Sequence, residues 1–179
     1  MGKYAEALPL CERLLAVREA QLGPDHPDTV TSLNDLAVLY YATGKYAEAL
    51  PLYERALEIC EAQLGASHPQ TAAALSKLAG LHCATGKYGK ALPLYERLLA
   101  MGEAQSGPDH PDTATSLNNL AMLYKMTGRS EKALPVYERA VAIAERTLGP
   151  DHPNTKAFQA NLEACRKALA EQTGGTDEA

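Results

Sequence analysis

Apolar residues recur along the chain at the spacing of an amphipathic helix. Between residues 29 and 43, Leu33, Leu36, Ala37 and Tyr40 stand at positions i, i+3, i+4 and i+7. That spacing places them on one helical face. A second run with the same period covers residues 46–64. The pattern therefore predicts a pair of amphipathic helices in this stretch.

The helix pair belongs to a repeat of 42 residues. A turn glycine followed by Lys or Arg recurs at Gly2, Gly44, Gly86 and Gly128. A His-Pro pair recurs at His26, His68, His110 and His152, and an Ala-Leu-Pro run at Pro9, Pro51, Pro93 and Pro135. Prolines after the histidines suit the first turn of a helix, and the turn glycines suit a left-handed helix end. The prolines of the second run lie early in the second helix and are expected to bend it slightly.

This period predicts one all-α array over residues 1–169, with about eight helices. Its parts are a half-unit at 2–24, complete helix pairs at 27–64, 69–106 and 111–148, and a capping helix at 153–170. The polar tail at 171–179 is predicted to be disordered.

The first predicted helix has no partner helix before it, so we expect Leu8 and Leu15 to be partly uncovered. Two explanations are open. The array continues in a longer protein, or the last half-unit of one molecule completes the first half-unit of the next, head to tail. The first explanation is the favoured one.

Composition narrows the function classes. A net charge of −5 argues against a general nucleic-acid binder, which needs a basic face. No window approaches the roughly 20 apolar residues of a membrane span, and no signal peptide is evident. A cytoplasmic protein with no membrane or nucleic-acid partner is the default. Four cysteines without pairing pattern predict free thiols, not a disulfide framework or a zinc site.

Motifs that resemble catalytic chemistry belong to the repeat. The four His-Pro histidines lie in stacked units about 20 Å apart, too far to share a metal, so each is expected to hold its own helix start. Ala-Thr-Gly-Lys at 42–45 lacks the spacing of a phosphate loop. The recurrent Glu-Arg pairs are interpreted as inter-helix or surface ion pairs. The sequence predicts no catalytic residue, no cofactor and no enzyme.

The repeat resembles the tetratricopeptide family, of the kinesin-light-chain type. Its pattern appears as Leu33-x2-Leu36-Ala37-x2-Tyr40, then Ala49-x3-Tyr53. The common unit has about 34 residues, and the longer unit here is similar to that of kinesin light chains. The resemblance implies an α-solenoid of antiparallel helix pairs wound into a right-handed superhelix.

The resemblance also implies a peptide-binding site in the concave groove lined by the first helix of each unit. Carried over position by position, the groove residues are Asn34, Asp35, Val38, Tyr41, Ser76, Lys77, Asn118, Asn119, Met122, Lys125, Asn161 and Lys167. Asparagine offers both a donor and an acceptor to an extended backbone, and the recurrent lysines suit acidic side chains. The predicted function is a protein–protein interaction scaffold that binds a protein or extended peptide segment, acidic under one reading. The alternatives are a self-assembling repeat spacer and a regulatory fragment of a larger protein.

Overall fold

The structure is a computed structural model that describes residues 2–174, and in that range it contains eight α-helices and no strand. In chain order the helices are α1 (Gly2–Leu22), α2 (Pro27–Ala42), α3 (Tyr46–Leu64), α4 (Pro69–Ala84), α5 (Tyr88–Ser106), α6 (Pro111–Met126), α7 (Ser130–Leu148) and α8 (Pro153–Gly174). The all-α prediction is confirmed. We call the helices that follow a His-Pro pair, α2, α4, α6 and α8, the A-type helices, and the other four the B-type helices.

The helices form two compact units. The first contains α1 to α4 and ends at Lys87, and the second contains α5 to α8 and begins at Tyr88. Within each unit every helix packs against the next one along the chain. An A-type helix with neighbours on both sides therefore has two covered faces and one face that remains exposed.

Each A-type helix begins at a histidine whose ring closes the first turn. The Asp28 N–H donates to Nδ1 of His26 at 3.1 Å, and Pro27 occupies the first helical position. The same bond, at 3.2 Å, recurs at His68, His110 and His152. A helix N-terminus leaves backbone donors unpaired, and the ring nitrogen pairs one of them. The expectation that each histidine holds its own helix start is confirmed.

A glycine ends each complete A-type helix. Gly44 adopts φ +75°, and the following Lys45 N–H donates to the Tyr40 carbonyl at 2.8 Å. This left-handed geometry pairs the last carbonyls of α2. A side chain with a Cβ would be strained at that φ, so the recurrence of glycine at this point in the repeat has a backbone cause.

Two apolar clusters hold the units together. In the first unit, Leu33 and Leu36 of α2 pack with Ala56, Ile59 and Cys60 of α3. In the second unit, Leu117 and Ala121 of α6 pack with Tyr137 and Ala140 of α7 and with Phe158 of α8. All of these side chains are buried. The positions predicted from the helical period are therefore core positions.

Buried threonines join the A-type helices to the loops that precede them. Thr29, Thr71 and Thr113 donate their hydroxyls to the carbonyls of Gly23, Gly65 and Gly107 at 3.1, 2.8 and 2.8 Å. Thr155 occupies the same place before α8 and is fully buried, but its hydroxyl lacks a partner among the described residues. The chain thus contains the same buried threonine with and without its hydrogen bond.

We expect Thr113→Val to lower the free energy of unfolding by about 1 to 2 kcal/mol, because the isosteric change leaves the Gly107 carbonyl without its donor. Thr155→Val is the matched control, since it removes a buried hydroxyl that makes no bond. It should be neutral or stabilising. Urea denaturation of both variants measures the difference. Equal destabilisation would show that the Thr113 bond contributes nothing.

Arginines of the recurrent Glu-Arg pairs bridge to the preceding B-type helix. Arg55 of α3 pairs with Glu19 of α1 at 2.6 Å and donates to the Pro24 carbonyl at 2.7 Å. Arg139 of α7 pairs with Glu103 of α5 at 2.7 Å. Both are inter-helix pairs, as predicted. They are partly exposed, so each contributes little to stability.

The structure corrects the expectation for the first helix. Leu15 is buried and Leu8 packs against the first apolar cluster, so neither forms its open side. The exposed apolar residues of α1 are instead Leu10, Leu14 and Val17. The sequence argument chose the wrong side because α1 packs on α2, and Leu8 and Leu15 are the residues that face this following helix.

The last helix is longer than expected. It ends at Gly174, so residues 171–174 of the predicted tail are helical, and the rest of that tail lies outside the described residues. The segment after Lys167 is rich in helix-forming residues, and Leu169 packs against the second apolar cluster. A weak Lys167–Glu171 pair at 4.0 Å lies on its outer surface.

Candidate functional site

The exposed face of α2 carries large apolar side chains. Val38 and Tyr41 are 45% and 38% exposed, on a helix whose Leu33 and Leu36 are buried. The Tyr41 ring contacts the ring of Tyr46 edge-on, with centroids 5.4 Å apart. That contact holds the phenol against the start of α3 while leaving part of it open to solvent. The face therefore offers an apolar surface that the core of the unit does not use.

Asn34 lies on the same face, one turn before Val38. Its Oδ1 is enclosed and has no hydrogen-bond partner among the described residues, although the residue as a whole is half-buried. With Oδ1 turned inward, Nδ2 is the amide atom that an external group can reach. Asp35, the next residue, is exposed and places a carboxylate beside it.

On α4 the corresponding face is small and basic. Ser76 is exposed and Lys77 is half-buried. Gly80 stands where α2 has Val38, and a Cβ built there would meet no atom within 4 Å. Lys77 lies close enough to the buried Cys60 to act on its thiol. Burial and Glu61 nevertheless raise the pKa of Cys60 above its ordinary value.

In the second unit the predicted site residues are partly used by the fold. Asn118 of α6 is buried, and its Oδ1 accepts a hydrogen bond from Nδ2 of Asn161 on α8 at 3.0 Å. The structure thus brings these two predicted residues together as a bridge between two A-type helices. Its amide carbonyl is therefore engaged within the protein.

The remaining predicted residues of this unit flank the asparagine bridge. Asn119, Met122 and Lys125 of α6 are half-buried, and Lys167 of α8 is exposed. Lys125 lies near the buried Cys165 thiol, whose pKa is raised by burial in spite of that positive charge. The face is accessible but less apolar than that of α2.

Sequence reasoning missed a cavity of about 200 Å³ in the first unit, between α3 and α4. It is lined by Tyr46, Ala47, Leu50, Leu81, His82, Thr85 and Lys87. The one signal was His82, which stands where α2 and α6 have Tyr40 and Tyr124. The cavity is smaller than the roughly 300 Å³ at which small-molecule sites begin.

The described residues offer little to metal or membrane chemistry. Across residues 2–174, no group of three or more His, Cys, Asp and Glu side chains is placed to hold a metal ion. In the same range no helix has both the length and the apolar character to cross a bilayer. The thiols of Cys11, Cys60, Cys83 and Cys165 are free.

Comparisons with known proteins agree with this architecture. The sequence profile of the tetratricopeptide repeat matches residues 1–62, 37–104 and 70–146. No curated protein matches the chain.

Solved structures carry the same fold. A putative kinesin light chain of Podosopora anserina, described as having nearly identical TPR-like repeats, is similar at a TM-score of 0.83 and 30% identity, over 98% of this chain and 83% of that one. BtubC (BKLC) from P. vanneervenii gives 0.82 and 27% over 94% and 67%. The apo form of RapI, at 0.72 and 19% identity over 88% and 56%, shares the fold alone.

Proposed function

Because the chain belongs to the tetratricopeptide repeat family, whose fold generally serves protein–protein interaction, we propose that it binds an extended peptide segment on the exposed faces of its A-type helices. The strongest part of the site is the face of α2, formed by Asn34, Asp35, Val38 and Tyr41. The scaffold holds this face rigidly, since α2 packs between α1 and α3.

The exposed Val38 and Tyr41 are the observation that carries the proposal. Most other large apolar side chains of the first unit's A-type helices are buried in the core. Apolar surface left open beside polar groups marks interaction sites, and partly fixed aromatic rings supply contact area at low entropic cost. An apolar side chain of the ligand would lie against these two residues.

Polar groups beside the apolar pair would hold the ligand's backbone. With its carbonyl oxygen enclosed, Asn34 donates through Nδ2 to a peptide carbonyl. Lys77, on the next A-type helix of the same unit, provides a positive charge for an acidic side chain or a terminal carboxylate. Asp35 disfavours a carboxylate at its own position, so the preferred peptide has its acidic group away from Asp35 and close to Lys77.

A selection from a random peptide library against the whole chain supplies the ligand for the test. We expect Val38→Ala with Tyr41→Ala to weaken the selected peptide at least tenfold, as truncation of buried anchor residues does. Met126→Ala is the matched control, because Met126 is as exposed as Val38 but lies at the end of α6. It should leave the affinity unchanged. Titration calorimetry measures both, with circular dichroism to check folding.

Two outcomes would contradict the proposal. One is a double variant that binds as tightly as the wild type. The other is a selection without enrichment in a sample whose mass grows with concentration in light scattering, which would favour the self-assembling spacer. Lys77→Glu examines the acidic preference separately, and an unchanged affinity for acid-containing peptides would remove that part.

A further inference from the structure

Exposed apolar side chains are concentrated on α1. Of the eight large hydrophobic residues that are exposed in the described range, five lie on this helix: Tyr4, Leu10, Leu14, Val17 and Leu22. Leu10, Leu14 and Val17 are spaced by four and three residues, so they form one continuous stripe along the helix. We call these three residues the α1 stripe.

The repeat shows what this surface does elsewhere in the same chain. A step of 42 residues carries Val17 onto Ile59 of α3, and a step of 126 carries it onto Ile143 of α7. Val17 is 42% exposed, whereas Ile59 and Ile143 are 4% and 3% exposed. Leu14 corresponds in the same way to Ala56 and Ala140, which are buried completely.

The difference comes from the helix on one side. α3 packs against both α2 and α4, and α7 against both α6 and α8, whereas the packing of α1 is with α2. Since α1 already has its following A-type helix, the stripe is the surface that a preceding A-type helix covers in α3 and α7. The covering helices are α2 and α6.

Those two helices define the chemistry of the occupant. They share buried residues in the pattern Leu-x2-Leu-Ala, at Leu33, Leu36 and Ala37 and again at Leu117, Leu120 and Ala121. The small alanine allows close approach of the two helices. We propose that the α1 stripe is a docking surface for an amphipathic helix of this Leu-x2-Leu-Ala type, presented by another protein.

A second copy of the chain fits poorly. Its α8 is an A-type helix, but it has Gln159 and Glu163 where α2 has Leu33 and Ala37. Glu163 is exposed and pairs with Arg166 at 2.7 Å. Stacking α8 head to tail on the α1 stripe would bury this charge among apolar side chains, which is costly. Two α1 stripes would instead oppose large side chains to large ones, without the small residue that permits close approach.

Binding of two helical peptides to the whole chain tests the proposal. The probe has the α6 sequence, residues 111–126, and the control has the α8 sequence in the same register, residues 153–168. Both are constrained as helices by a lactam bridge on the solvent side, because short free helices are only marginally formed. Fluorescence anisotropy should show binding of the α6 peptide, with affinity for the α8 peptide at least tenfold weaker.

Variants of the chain locate the binding site. Val17→Glu should weaken the α6 peptide at least tenfold, whereas Met126→Glu, at a similarly exposed residue, should leave its affinity unchanged. Three results would overturn the proposal: equal affinity for the two peptides, insensitivity to Val17→Glu, or a dimer of the chain alone that Val17→Glu dissociates. The last would assign the stripe to a second copy. Because the peptide-binding face of α2 is not altered by Val17→Glu, loss of one activity is distinguishable from loss of the other.

Discussion

Replacing Leu117 by alanine is expected to lower the free energy of unfolding by about 3 kcal/mol. The side chain is fully buried in the second apolar cluster, among residues of α6, α7 and α8. Removing its methyl groups forfeits their transfer free energy and leaves a cavity that rigid neighbouring helices fill only in part. Because the three helices share this cluster, the loss should appear in urea denaturation as a lower midpoint with little change of slope.

Leu10→Ala is the matched control for that experiment. Both substitutions remove the same atoms from a helix, but Leu10 is 68% exposed. The change at Leu10 should stay within about 0.5 kcal/mol, as for other surface positions. If Leu117→Ala were as mild as Leu10→Ala, the packing of α6 on α7 and α8 would be looser than the structure shows.

The helical architecture was predictable because the repeat supplies several signals at the same places. A histidine and a proline open each A-type helix, and a glycine with positive φ closes α2 at Gly44. The apolar period between those points fixes which face is buried. Each signal alone is weak, but their agreement at a constant step of 42 residues placed helix boundaries within about two residues, except at the end of α8.

The register of α1 could not be obtained in the same way. Apolar residues occur on two sides of this helix, since a B-type helix meets A-type helices on both sides. Leu15 and Val17 are both hydrophobic, and only the position of α2 shows that the first is covered and the second is not. Periodicity identifies apolar faces, but it does not tell which neighbour is present.

The candidate site was predictable as a set of positions, not as a set of available groups. Asn34 and Asn118 stand at the same place in the repeat. One has an unpartnered oxygen, whereas the other accepts a bond from Asn161. The difference depends on the next A-type helix, which has Lys77 in one unit and Asn161 in the other. A site residue is thus defined by its neighbour one repeat later, which single-unit reasoning does not include.

Alkaline pH should destabilise the chain through Tyr137. Burial, with a smaller effect of Cys165, raises the pKa of this phenol from 10.0 to about 12. The phenol loses its proton in the unfolded chain near its ordinary pKa, but keeps it in the folded chain until about pH 12. The unfolded state therefore binds fewer protons in this window. Stability is complete below the unfolded pKa and is lost as pH rises through the folded one.

Tyr137→Phe isolates this contribution, because phenylalanine retains the ring in the cluster but cannot ionise. Between about pH 9 and about pH 12 the wild type should lose about 2 kcal/mol more stability than Tyr137→Phe, as a shift of this size requires. Urea titrations at several pH values measure the difference. Tyr4→Phe, at an exposed tyrosine, should follow the wild type at every pH. Parallel curves for wild type and Tyr137→Phe would mean that Tyr137 ionises without unfolding, and that the cluster of α6, α7 and α8 admits water around its largest side chain.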